Sequence, residues 1–197
     1  MKTIHKYLSN KIVSSTIKAT RFDIKLIVKD ELKRLGDNAD LNHIDVSKVS
    51  DLSDTFYYES NFCGDVSKWN VSNCVNFNSM FYKCENFNCD ISEWDVHNGV
   101  TFIGMFERCL MFDCDLNSWN MSKATDISGM FRMCEAFNQP LDQWDVSNVK
   151  FMNETFYGCE KFNQDLSGWN IMKVVEHEKM LGNCPINYKY VPKFIGR

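Results

Sequence analysis

Large apolar residues return along this chain at a fixed step of 25 residues. The five tryptophans stand at 69, 94, 119, 144 and 169. Phe56, Phe81, Phe106, Phe131 and Phe156 form a second column, and Phe62, Phe87, Phe112, Phe137 and Phe162 a third. Cys84, Cys109, Cys134, Cys159 and Cys184 form a fourth. Columns kept in step without insertions mark stacked copies of one unit, each too small to close a core of its own. Two shorter periods run inside a copy. Met152, Thr155, Phe156 and Cys159 fall at i, i+3, i+4 and i+7, the spacing of one helical face, and predict a short helix held by packing. Trp169 and Ile171 are two apart, which predicts a short strand around each tryptophan, with Leu166 turned inward and Asn, Asp, Ser and Gly at the corners. The predicted fold class is therefore an α/β repeat solenoid, with a parallel β-sheet on one face, short helices on the other and a helical N-terminal cap.

The repeat divides the chain into an N-terminal cap (residues 1–40), five to six units (41–184) and a C-terminal cap or tail (185–197). The outer units drift: Ile44 replaces Trp and Glu59 replaces Cys in the first, while His177, Asn187 and Pro185 interrupt the last. Degenerate ends keep other copies from stacking on open edges. In the cap, Ile4, Tyr7, Leu8 and Ile12 make a helical stripe. A second helix is expected from Asp23 as N-cap to Leu35, stopped by Gly36, with Ile27, Leu32 and Leu35 facing the first unit.

Charge separates the same regions. Residues 1–40 carry nine Lys/Arg against five Asp/Glu, a balance of +4; the rest carry thirteen against twenty-one, a balance of −8. Duplex nucleic acid is not expected as a partner of the repeat body, because phosphate contacts need basic groups. No apolar run reaches the ~18 residues of a membrane span, and the start has no uninterrupted apolar stretch of the signal-peptide kind. Secretion is not expected, and the expected location is the cytoplasm. Nine cysteines without a CxxC pair read as reduced thiols filling small apolar slots.

Three constellations could carry chemistry. Neighbouring cysteines of the ladder would have parallel Cβ vectors, a poor direction for a disulfide, and the Cys-x4-Cys spacing of Cys84/Cys89 and Cys109/Cys114 lacks the paired ligands of a zinc site. Asp65, Asp90, Asp115 and Asp165 line up, as do Asp45, Asn70, Asp95, Asn120, Asp145 and Asn170; side chains of this type satisfy turn amides. His5, His43, His97 and His177 sit in no nucleophile–base pattern. No enzyme activity, cofactor or metal is expected.

The unit F-N-Q-D-L-S-x-W-D-V-S-N-V-x-x-M-x-x-x-F-x-x-C resembles the BspA-like leucine-rich repeat proteins, in the tryptophan-containing form of a domain of unknown function in bacterial surface proteins and lipoproteins. The resemblance covers about residues 44–184. It implies a leucine-rich-repeat-like solenoid and a role in adhesion or protein binding, with no catalytic residues to carry over. The opening MKTIHKYLSNKI resembles the starts of short proteins from large tailed phages.

Together these readings predict a non-catalytic protein–protein interaction module, phage-encoded and directed at a bacterial host protein. The alternatives are a virion part docked through its N-terminal helices and a surface adhesin. The expected contact face flanks the tryptophans: Lys68, Glu93, Ser118 and Gln143 before them, Asn70, Asp95, Asn120, Asp145 and Asn170 after them, and Ser72 and His97 beyond. Its partner is expected to be a protein with a basic surface.

Overall fold

In a computed structural model, residues 16–194 are described. The N-terminal helical stripe predicted from Ile4 to Ile12 lies outside them. Regular secondary structure among the described residues amounts to strand β1 (Ile17–Lys18), helix α1 (Ile24–Leu35), strand β2 (Ile44–Asp45) and a 3₁₀ turn at Tyr188–Tyr190. β1 and β2 pair in parallel.

This overturns the predicted α/β architecture: the units hold neither a parallel sheet nor short helices. From Asp51 onward, adjacent units touch through isolated parallel bridges, Asp51–Asn76–Thr101–Asp126–Phe151–Glu176, one per unit. No bridge forms at a tryptophan.

The apparent strand spacing is the seam between two turns. Leu141, Trp144, Val146 and Val149 all point inward, at steps of three, two and three. The Trp144 amide closes a turn on the Leu141 carbonyl (3.2 Å), and the Val149 amide closes the next on Val146 (2.9 Å). Trp144 and Val146 therefore end one turn and enter another. Asp or Asn opens most of these turns. Asp65 Oδ1 accepts from the Ser67 amide (2.8 Å), and Asp145 Oδ1 accepts from the Ser147 amide (3.0 Å). Those bonds favour the turn over a strand.

The apparent helix is broken by left-handed residues. Asp54, Ser79, Gly104, Gly129, Glu154 and Lys179 all have positive φ, and so do Tyr58, Lys83, Arg108, Met133, Gly158 and Asn183. Two such positions, four residues apart in every unit, exclude an α-helix. In between, alternate amides divide the work. The amides of Ile127, Gly129, Phe131 and Met133 donate to carbonyls of the next unit at 2.7–3.0 Å, while those of Met130, Arg132 and Cys134 close turns within their own. A non-glycine residue held in the left-handed region costs about 1–3 kcal/mol, which the ladder must offset at each site.

Side chains repeat because the backbone does. Phe81, Phe106, Phe131 and Phe156 stack with centroids 5.5–5.7 Å apart, and Phe87, Phe112, Phe137 and Phe162 with centroids 5.8–6.0 Å apart. Within a unit the two columns also meet face to face, as in Phe106 on Phe112 at 4.1 Å. Both columns are fully buried.

Helix α1 forms where the sequence predicts it. Ile24, Val28 and Leu32 are buried at four-residue steps against the first unit. Asp23 Oδ1 accepts from the Thr20 amide (2.6 Å) outside the helix, and not from an amide inside it. Gly36, at φ 90°, donates its amide to Leu32 O (2.8 Å) and ends the helix. Ile27 is half-buried on the core, whereas Leu35 is exposed. Because a helix consumes its own amides, α1 covers the first unit without extending the ladder. At the other end, Tyr190 O accepts from the Leu166 amide (2.8 Å) and Phe194 stacks on His177 (4.0 Å).

The tryptophans bind units together by more than packing. Each indole Nε1–H donates to a carbonyl 28 residues earlier: Trp69 to Leu41, Trp94 to Val66, Trp119 to Ile91, Trp144 to Leu116 and Trp169 to Leu141, at 2.8–3.1 Å. Trp119→Phe keeps an aromatic ring but removes the bond between units, leaving the Ile91 carbonyl with the Trp94 amide (3.1 Å) alone, and leaves a void. The expected loss is about 1–3 kcal/mol in urea unfolding.

Candidate interaction surface

The eleven residues expected to form a contact face lie near the surface on the turns flanking the tryptophan column. Ser72 and His97 are half-buried and the other nine are exposed. They occupy the rim of a stack of turns, not the face of a β-sheet. Between the third and fourth tryptophans this rim holds a shallow open groove lined by Asp115, Ser118, Asn120, Gln143 and Asp145.

Most of the carboxylate and amide oxygens on this rim are already engaged. Asn70 Oδ1 accepts from the Ser72 amide (3.1 Å) and hydroxyl (2.7 Å). Asp95 Oδ1 lies 2.7 Å from His97 Nδ1 and accepts from the His97 amide at 3.3 Å. Asn120 and Asn170 bond the amides two residues on, at 3.1 and 3.3 Å. The positions just before each tryptophan, Lys68, Glu93, Ser118 and Gln143, have no such side-chain duty to their own turn. Ser118 instead donates its hydroxyl to Ser92 O (3.1 Å), and the Gln143 amide side chain donates to Asp142 (2.9 Å).

The turn bonds set the acid response. The Ser67 amide and hydroxyl hold the Asp65 carboxyl down to about 2. Ser92 lowers Asp90, His97 lowers Asp95 and Ser147 lowers Asp145 in the same way. A carboxyl held below its unfolded value stabilises the fold above that value and loses this contribution as pH falls through the folded one. Thermal stability is therefore expected to decline steeply from about pH 4 towards pH 2. Asp65→Asn should flatten the decline, as followed by melting curves across that range.

The cysteine column also has a polar role that its apolar neighbours concealed. Cys84, Cys109, Cys134 and Cys159 each donate a thiol hydrogen to the carbonyl of Phe56, Phe81, Phe106 and Phe131, at 2.8–3.0 Å. Burial pushes the thiols of Cys109 and Cys134 far above their ordinary range, Cys74 to about 12, and Cys89 and Cys114 to about 11. Cys63 is the one exposed cysteine. A thiol reagent on native protein should modify Cys63 rapidly and the buried Cys84, Cys109, Cys134 and Cys159 only on unfolding; Cys63→Ser should remove the fast phase.

A second surface, which periodicity alone did not reveal, lies on the left-handed segment. Its outward columns differ from unit to unit: Tyr57, Tyr82, Glu107, Arg132, Tyr157 and Gly182 in one, and Tyr58, Lys83, Arg108, Met133, Gly158 and Asn183 in the next. Tyr57 stacks on Tyr82 (4.8 Å, 17°) and meets Tyr58 edge-on (4.7 Å, 66°). Lys83 Nζ lies 4.3 Å from the centre of the Tyr58 ring and 3.1 Å from its hydroxyl. Further along, Arg132 is held between Glu107 (2.6 Å) and Glu154 (2.8 Å). The only hint of this surface in the sequence was variation within columns whose neighbours are constant.

No three His, Cys, Asp or Glu side chains gather as a metal site among the described residues. No helix among them is long and apolar enough to cross a membrane.

The family described as "Mycoplasma protein of unknown function, DUF285" matches residues 28–136 and again 104–191. The chain belongs to this family. DUF285 is related to the BspA-like repeats that the 25-residue unit resembles. The DUF285 match begins at residue 28 and gives no support to the phage resemblance of the opening residues. No curated protein and no solved structure matches the chain.

Proposed function

We propose that this DUF285 chain is a non-catalytic protein-binding module. One observation carries the reading: the interior columns are nearly constant from unit to unit, while the partly exposed outer columns on the same backbone differ. Tryptophan follows tryptophan inside, but Tyr57, Tyr82, Glu107 and Arg132 follow one another outside. A stiff stack that holds its core fixed and varies its surface suits recognition of an extended partner. The polar groups that resemble catalytic or metal ligands are committed to turns and to carbonyls of the neighbouring unit.

On the tryptophan rim, Glu93, Asp95 and Asp145 are exposed, and residues 41–197 carry a balance of −8, as thirteen Lys/Arg against twenty-one Asp/Glu. That rim suits a partner bearing basic residues. Immobilised full-length protein, exposed to lysate of the cells that express it, is expected to retain one partner in stoichiometric amount. Glu93→Lys with Asp95→Lys is expected to release a partner bound at the rim. A partner retained by that variant sits elsewhere, and the absence of any stoichiometric partner counts against the binding reading.

A further inference from the structure

Tyr58, Lys83 and Arg108 stand at successive positions of one left-handed column, with φ of 66°, 60° and 62°. The same column accepts Gly158 and Asn183, residues better suited to that conformation. Large side chains are thus kept where smaller ones fit with less strain. None of the three belongs to the buried core. Tyr58 is exposed and Lys83 and Arg108 are half-buried, and strain retained on side chains outside the core points to use by something outside the chain.

The surroundings define what that is. Tyr57 and Tyr58 are 45% and 53% exposed, and with Tyr82 they form a ring cluster beside Lys83. Lys83 and Arg108 are adjacent across one step of the ladder, since the Lys83 amide donates to Glu107 O (2.8 Å). The Glu107 side chain is turned to Arg132, and among the described residues neither Lys83 nor Arg108 has a carboxylate within ion-pair distance. Lys83 thus lies against the Tyr58 and Tyr82 rings with Arg108 beside it, neither cation neutralised, in a chain whose net charge is −4.

We infer that the patch of Tyr57, Tyr58, Tyr82, Lys83 and Arg108 binds an acidic peptide segment of a protein partner, with its carboxylates on the two cations and an apolar or aromatic residue against the rings. Tyrosine and arginine dominate the energetics of protein interfaces, and rim cations set the sign of the partner. This inference rests on the protein-binding reading and adds a second surface, of opposite charge preference to the tryptophan rim.

The test selects a displayed library of random dodecapeptides on immobilised full-length protein, then measures the enriched peptides by fluorescence anisotropy. Two variants take their substitutions from the column itself: Lys83→Met with Arg108→Met, after Met133, and Tyr58→Gly, after Gly158. Melting curves confirm that both fold. Enriched peptides should be rich in Asp and Glu, and each variant should weaken them about tenfold or more, the loss of one interface hot spot. Peptides without acidic residues, or with equal affinity for the variants, would overturn the patch assignment and leave the protein-binding reading standing. Loss with Tyr58→Gly but not with the paired Met variant would overturn the acidic occupant, since the rings would be acting without the cations. No enrichment over bare resin would count against both readings.

Discussion

The structure depends on the hydrogen bond from one unit's backbone to the next. On the left-handed segment every second amide points along the stack and finds a carbonyl 24 residues ahead, as Phe106 finds Met130 and Phe131 finds Thr155. That bond fixes the register. Once it is fixed, like side chains must lie over like, and a phenylalanine in one unit demands a flat apolar neighbour in the next. The alternation that permits it needs positive φ at two places per unit, so backbone strain is distributed along the stack and not confined to one site. A single inserted residue would shift every column below it by one place and turn buried rings towards water.

The polar bonds within the core follow from the same register. The indole of Trp94 reaches the Val66 carbonyl, and the thiol of Cys109 reaches that of Phe81, both 28 residues back. Each of those carbonyls already closes a turn, Val66 with the Trp69 amide (3.1 Å) and Phe81 with the Cys84 amide (2.9 Å), so the indole or thiol is its second donor and ties that turn to the next unit. Tryptophan and cysteine supply a large or a small apolar body together with one hydrogen-bond donor. Phenylalanine or valine at those positions would fill similar space and lose the bond between units, leaving the carbonyl with its turn amide alone. The columns therefore reflect hydrogen-bonding need as well as volume.

Much of this was legible in the sequence, and the part that was not has a definite cause. The 25-residue step, the buried Trp and Phe columns and helix α1 could be read from spacing, because burial leaves a direct mark on residue type. The secondary structure inside a unit could not. Leu141, Trp144, Val146 and Val149 alternate steps of three and two, so any short window imitates either a strand or a helix. The deciding signal was the Asp or Asn at the head of each turn together with glycines at 104, 129 and 158, which share columns with Tyr58 and Ser79. Where Gly, Ser, Lys and Tyr occupy equivalent positions, the backbone requirement is visible only once the columns are aligned. On the surface, the tryptophan rim was correctly seen as exposed, but its aspartates and asparagines vary little because each serves a turn amide.

That distinction bears on how a stacked fold acquires specificity. A column whose side chain satisfies the backbone has little freedom to change, however exposed it is. Asp95 and Asn120 can exchange identities because either oxygen bonds the amide two residues on. The column of Tyr57, Tyr82, Glu107 and Arg132 carries no such obligation to its own turn, so its chemistry can follow a partner. Glu107 and Arg132 of this column pair with each other, and Arg132 also pairs with Glu154 of the left-handed column. The tyrosines and Lys83 make contacts with each other, and Tyr57 and Tyr58 stay exposed. In a structure whose interior repeats so closely, the columns that do not repeat are the ones free of duties to the fold.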